Sequence, residues 1–399
     1  MIAAAKRLVP WVTGLLGYLL WRAGGLLWSR PRWAAGPAGG RVCVLQVNAL
    51  GDVLMVTPLL HALVEALGPG RVDVVVTGRT APLLENFPGL GTRILPPCEF
   101  RWRHPSSVWD FLRVVRRLRA QRYDAILDAS RLLHTAWMAF LARPRRGIGP
   151  RLPRRLGPVA LEGLGYLYTD EVTIDPAGHM IRQHLALLGP LGIPPASERM
   201  RYAPTPADRQ AARAWLAARG VAGEAPYVVI HPGAKWPPKR WHPERFQALA
   251  RRLHGEAAAV VLVGDANDRP LLDAVAAGIT PRPPVVSGDL HLGAVGALIQ
   301  GARLFIGNDS GLMHIASAVG TPALALFGPT YPERTGPLGP RDRGLVKPIL
   351  CRPCRLYFTR DRCERGHNYC MDLIAVDEVW DAARSMLGLA AARPDQYGR

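Results

Sequence analysis

At 399 residues the chain exceeds one ordinary hydrophobic core and suits two domains of average size. With 49% hydrophobic against 20% charged residues it is not a disordered chain, and its 41 Gly and 37 Pro are spread between apolar runs rather than gathered into a low-complexity linker. The 50 Lys+Arg against 31 Asp+Glu leave a net charge of +19, which suits an anionic partner: nucleic acid, an acidic membrane surface or a phosphorylated substrate. An arginine-rich composition accounts for the excess equally simply, and no nucleic-acid motif accompanies it.

The first 51 residues contain no Asp or Glu. Lys6 and Arg7 precede an apolar stretch, Leu8 to Trp28, whose one charge is Arg22; Trp11, Trp21, Trp28 and Trp33 lie in or beside it, and Arg30 and Arg32 close it. About 20 apolar residues suffice to span a bilayer, but a charge in mid-segment is costly there. Tryptophans flanked by arginines suit a helix at headgroup level. A cleaved signal peptide is the competing reading, opposed by the length of the stretch and by the strand that follows at once. We expect a membrane-associated segment, with spanning and lying flat both open.

Arg41–Val47 is a near-continuous apolar run of the length of a buried parallel strand, followed by a short loop to Asp52 and a helical pattern over Val53–Leu67. A strand at Val72–Thr77, a short helix at Pro82–Asn86 and a weaker strand at Arg93–Leu95 come next. Val108–Gln121 reads as a basic amphipathic helix and Ala125–Ala129 as a strand, while Arg143–Arg155 reads as a basic loop. A helix is expected over Pro204–Gly220, after which the pattern restarts. Strands are expected at Tyr227–His231, Ala259–Gly264, Val285–Val286, Arg303–Gly307 and Ala323–Gly328, with helices at Pro243–Leu253, Arg269–Ala277, Leu292–Gln300 and Gly311–Val319 between them. This alternation predicts two Rossmann-like, doubly wound halves, whose ligands bind beyond the carboxyl ends of the strands.

Four such loops carry chemistry. Asp52, after the first strand, is placed to take a proton from an acceptor hydroxyl; a helix cap explains it as well. Lys235, Lys239 and Arg240 lie in a Pro/Gly-braced loop after Tyr227–His231 and suit a diphosphate, although surface lysines need no ligand. Asp309, Ser310 and Gly311 open the helix Gly311–Val319, where free N–H groups make an anion site, and His314 lies one turn on; capping and core packing are the competing roles. Thr330 closes Phe327-Gly-Pro-Thr330, a loop that reaches the donor or is an ordinary turn. Cys351, Cys354, Cys363 and Cys370, spaced C-x2-C-x8-C-x6-C, leave a structural zinc, reduced thiols and a disulfide pair open. No Walker A loop, G-x-S-x-G elbow, H-E-x-x-H or dinucleotide fingerprint occurs, which disfavours hydride transfer and kinase chemistry.

In this order the motifs resemble those of glycosyltransferase family 9, the lipopolysaccharide heptosyltransferases. VNALGDVLMVTP at Val47–Pro58, HPGAKWPPKRWHPERF at His231–Phe246, GNDSGLMHIASAVGTPALALFGPT at Gly307–Thr330 and the cysteine-containing tail carry the resemblance, from about Arg41 to Leu373. It implies a GT-B fold with an acceptor-binding domain at 41–203 and a linker helix at 204–225, whereas the segment at 1–36, read above as membrane-associated, is not part of the family's usual catalytic core. A nucleotide-sugar-binding domain at 226–345 and a cysteine-containing segment with a C-terminal helix at 346–399 complete it. It further implies inverting, metal-independent transfer from an ADP-heptose-like donor to an anionic glycolipid at the cytoplasmic face of the bacterial inner membrane, with no nucleic-acid partner and no cofactor. By position Asp52 matches the general base, Lys239 a lysine at the donor phosphates, and Ser310, Gly311 and His314 the phosphate-contacting turn. A nucleotide-sugar epimerase and a non-catalytic, membrane-tethered nucleotide-binding protein are the alternatives.

Overall fold

The computed structural model describes residues 40–95, 106–151, 167–221, 225–256, 259–352, 354, 363 and 366–389. The expected membrane segment at 1–36, Cys98 and the arginines at 154 and 155 lie outside them. The chain divides into two compact units, Met1–Glu198 and Arg199–Arg399.

The first unit holds β1 (Val42–Leu45), α1 (Leu50–Leu67), β2 (Val72–Val75), β3 (Leu90–Ile94), α2 (Ser106–Ala120), β4 (Ala125–Asp128), α3 (Leu133–Ala142), β5 (Arg146–Arg151), β6 (Asp170–Thr173) and α4 (Met180–Leu185). Its six strands pair in parallel in the order β3-β2-β1-β4-β5-β6. β1 and β4 are apolar throughout except for Asp128, and all their residues are buried, as strands covered on both faces must be. α1 is long and apolar enough to cross a membrane, but Val53, Leu54, Val56, Leu59, Leu60 and Leu63 are wholly buried, and it is a core helix. Pro58 removes one donor from it, and the Thr57 hydroxyl donates instead to Leu54 O, the carbonyl that Pro58 leaves vacant, at 2.6 Å.

One expectation is corrected here. Arg146–Arg151 is a strand, not a basic loop. Ile148 is fully buried, Gly149 lies under the Tyr168 ring, and Arg146 pairs with Asp170 on β6. Pro150 is tolerated because the pairing with β4 ends at Ile148. α3, β6 and α4 are further elements to which the sequence reading assigns nothing.

The second unit holds α5 (Pro206–Ala217), β7 (Tyr227–His231), α6 (Pro243–Glu256), β8 (Ala259–Gly264), α7 (Arg269–Ala276), β9 (Val285–Ser287), α8 (Leu292–Gln300), β10 (Leu304–Asn308) and α9 (Gly311–Val319), then β11 (Ala323–Phe327), α10 (Pro332–Thr335), β12 (Arg343–Val346), α11 (Tyr369–Asp372) and α12 (Val376–Leu387). Its parallel sheet runs β12-β11-β10-β7-β8-β9. α5 begins with a reciprocal cap, in which Asp208 N–H donates to Thr205 Oγ1 and Thr205 N–H to the Asp208 carboxylate; the helix packs on α8. α12 lays Val379, Trp380, Ala383 and Leu387 into the same core as Trp241, Phe246 and Leu249.

Each sheet therefore reverses direction once beside its first strand, between β1 and β4 and again between β7 and β10. Within each unit the loops that follow those two strands meet at the crevice where such a sheet binds ligands.

Candidate active site

In the first unit the crevice is built by hydrogen bonds between the loops after β1 and β4. Ser130 Oγ accepts Val47 N–H at 2.8 Å and donates to Leu45 O, and the Asn48 side-chain amide donates to Ser130 O at 3.1 Å. Gln46, fully buried, donates to Asp52 O at 3.3 Å. α1 starts at Leu50, earlier than the sequence suggests, and this places Asp52 within its first turn. There the Asp52 carboxylate accepts Ala49 N–H at 3.2 Å. The capping geometry and the position at the crevice thus coexist.

Asp128, at the end of β4, holds the second loop. Its buried carboxylate accepts the N–H groups of Ser130 and Arg131 and the hydroxyls of Thr135 and Tyr168. Burial pushes its pKa up to about 6, against the lowering effect of those four bonds. Arg131, in the left-handed conformation, reaches Gln183 and Met180 on α4. Sequence reading missed this network; the traces available were a polar residue ending a buried strand and the serine two positions on.

In the second unit Asn308, fully buried at the end of β10, joins the loop after β7 to the turn after β10. Its Oδ1 accepts Trp241 N–H at 3.0 Å, and its amide donates to Pro232 O at 2.8 Å. Gly233 lies so close to neighbouring groups that an added Cβ would stand 2.6 Å from the Asp268 carboxylate and 2.7 Å from the His231 ring. His231 donates from Nδ1 to Val263 O at 2.7 Å, and burial depresses its pKa. Trp241 is wholly buried, edge-on to Phe246 at 5.0 Å, and donates to Ile374 O.

This frame brings Lys239 and Asp309 together, Nζ to Oδ2 at 2.7 Å, both side chains largely buried. Asp309 is thus a partner of Lys239 rather than a helix cap. Ser310 occupies the N-cap position of α9 but makes no side-chain cap bond. Its hydroxyl and that of Thr330, on the loop after the neighbouring strand β11, are buried and bond no group among the described residues. Gly311 starts the helix and His314 is buried on its first turn. Lys235 stays exposed, its ammonium 5.6 Å from the Trp236 ring centre, outside the Lys239–Asp309 pair. The α9 N–H groups, two hydroxyls unbonded among the described residues and a fixed lysine have the chemistry to hold an anionic, multiply accepting group such as a diphosphate.

The sequence profile of glycosyltransferase family 9 (heptosyltransferase) matches residues 111–363. The chain belongs to glycosyltransferase family 9. Over 283 residues it is 29% identical to lipopolysaccharide heptosyltransferase 3 of Escherichia coli, covering 70% of this chain and 81% of that one. Over 332 residues it is 29% identical to lipopolysaccharide heptosyltransferase 1 of Pseudomonas aeruginosa, covering 79% and 86%. The family 9 glycosyltransferase structure from Veillonella parvula superposes with a TM-score of 0.73 at 22% identity, covering 87% of this chain and 97% of that one. E. coli heptosyltransferase WaaC with ADP-2-deoxy-2-fluoro heptose gives 0.65 at 20%, covering 86% and 99%. The two parallel six-stranded sheets are those of a GT-B glycosyltransferase.

In this glycosyltransferase the cysteine-containing tail supports the same crevice. Cys354 N–H donates to Pro329 O at 3.3 Å, Arg352 binds Thr330 O, and the Asn368 amide donates to Pro238 O at 3.1 Å. Gly328 lets Cys370 and Met371 pack against the loop. Cys351, Cys354, Cys363 and Cys370 are free thiols; burial and the three neighbouring thiols push Cys370 up to about 11. Among the described residues no three His, Cys, Asp or Glu side chains are grouped to hold a metal ion.

Proposed function

We propose that this glycosyltransferase moves a heptose-like sugar from an ADP-heptose-like donor to the core of lipopolysaccharide or a related anionic glycolipid, with inversion, at the cytoplasmic face of the bacterial inner membrane. The observation that carries the reading is the receptor at the start of α9, where, beside the fixed Lys239, the buried Ser310 and Thr330 hydroxyls bond no group among the described residues. The relatives are lipopolysaccharide heptosyltransferases, which supports the sugar and the acceptor class.

In this scheme Asp52 takes the proton of the acceptor hydroxyl as its oxygen bonds to the anomeric carbon. The bond from that carbon to the diphosphate breaks on the opposite face, through a cation-like sugar. The departing diphosphate gains charge, which Lys239 and the α9 N-terminus stabilise, with Ser310 and Thr330 as hydroxyl donors. No metal is required for these steps.

The test is nucleoside diphosphate release from a panel of nucleotide-sugars with lipid A–core acceptors. We expect ADP release from one donor that depends on acceptor, persists in EDTA, and falls by at least about a hundredfold in Asp52→Asn, as for loss of a general base. Release without acceptor would point to an epimerase, and nucleotide binding without turnover to a tethered binding protein. Metal analysis of the purified protein tests the zinc reading separately.

A further inference from the structure

α2 presents an outer face that a solvated helix of a globular protein has no reason to carry. At about 100° per residue, Asp110, Phe111, Val114, Val115 and Leu118 share the buried side. The middle of the opposite arc falls on Trp109, Leu112 and Arg116, at positions i, i+3 and i+7. Trp109 is 67% exposed, Val108 50% and Leu112 40%. Large apolar groups thus share with Arg116 the centre of the outward face, where charge alone normally sits.

Around them the charge has one sign. Arg113, Arg116, Arg117 and Arg119 are all exposed, and the one acid of the helix, Asp110, is buried and pairs with Arg113. The cationic surface continues beyond the helix to the exposed Arg143, the C-cap of α3, whose pKa is lowered by burial and by the charge of Arg119. Tryptophan and leucine set among arginines match the depth profile of a bilayer interface: apolar side chains at the acyl boundary, guanidinium groups on long stems among phosphates. A protein partner would have to supply an apolar slot ringed with carboxylates, whereas an anionic lipid surface supplies both features without further specification.

We propose that the outer face of α2 is a docking surface for anionic phospholipid, with Trp109 and Leu112 entering the interface and Arg113 and Arg116 pairing with headgroup phosphates. It rests on the reading of the acceptor as membrane-borne, and it gives the first unit a contact with the bilayer separate from residues 1–36.

The experiment uses the full chain, with a benzophenone amino acid in place of Leu112 and, as control, in place of Ala277, which is exposed in the second unit. Each protein is irradiated with vesicles of phosphatidylethanolamine and phosphatidylglycerol, or of phosphatidylcholine alone. We expect lipid adducts from position 112 with the anionic vesicles and few from position 277 or with neutral ones. Arg113→Gln with Arg116→Gln should lower the adduct yield by about fivefold per arginine at subsaturating lipid, from about 1 kcal/mol each. Adducts at position 112 with a second copy of the chain, with co-purifying nucleic acid, or with nothing would overturn the proposal. Because no turnover is measured, a failed sugar transfer beside a positive cross-link would count against the acceptor reading alone.

Discussion

Ser310 and Asn308 lie two positions apart and do opposite work. Asn308 satisfies groups of its own protein: without its amide, Trp241 N–H and Pro232 O are left buried and unpaired. Each unpaired group costs about 1–3 kcal/mol. Ser310 Oγ bonds nothing among the described residues, so removing it takes nothing from the fold. We therefore expect Asn308→Leu to lower the urea midpoint by the equivalent of about 2–5 kcal/mol. Ser310→Ala should leave the midpoint within about 0.5 kcal/mol and weaken ADP binding by about tenfold, near 1.4 kcal/mol. Calorimetric titration beside urea unfolding checks both, and a Ser310→Ala protein that binds ADP normally would remove the hydroxyl from the receptor. Asp52, Lys239, Asp309, Ser310, Gly311 and Thr330 stand out as candidates in the sequence because each follows a strand that reads clearly. Asn308 was not, because its value lies in two partners more than 60 residues away in sequence.

Among the elements, β5 shows how a strand can hide. Arg-Gly-Ile-Gly-Pro-Arg has no apolar alternation and carries three residues that favour turns. What makes it a strand is non-local: Arg146 pairs with Asp170, Ile148 fills the core, and the Tyr168 ring covers Gly149. The same ring hydroxyl donates to Asp128 at 2.7 Å. A methyl at position 149 would run into that ring. Gly149→Ala is therefore expected to cost about 1–3 kcal/mol by overpacking and to disturb the loop after β4 through Asp128; thermal unfolding and the near-ultraviolet circular dichroism of the tyrosines report on each. A variant as stable as the parent would show that Tyr168 moves aside freely. The amphipathic helix α2 is the contrary case, since its periodicity announced it, but only the packing of Phe111, Val114 and Leu118 revealed which side was left outside.

For the whole molecule, buried titratable groups set the response to acid. Burial lowers His134 and His184 to about 4 each, so the unfolded chain binds more protons than the folded one between pH 6.5 and about 4, and stability is lost as pH falls through that window. Asp128, raised to about 6, acts in the opposite sense: its folded form binds the extra proton between about 6 and 3.8, and stability is gained on acidification there. Two histidines outweigh one aspartate, and His231, also depressed by burial, adds to them. The excess of 19 positive charges works in the same direction as further protons are taken up. Stability should thus fall from pH 7 to pH 5 by about 1–3 kcal/mol per unit, read from urea midpoints. Gln at His184 should flatten the slope, and an unchanged slope would remove that residue from the account.

The sequence by itself determined the alternation of strands and helices, the two doubly wound halves and the motifs that place the chain in its family. Those are local or periodic properties, written in runs of apolar residues and in the loops between them. The tertiary structure alone decided that Asp309 holds Lys239 instead of capping α9, that the cysteine tail braces the Phe327–Thr330 loop, and that a Gly/Pro-rich stretch is a buried strand. Each of those outcomes depends on which distant group arrives beside a side chain, and no pattern along the chain encodes the arrival.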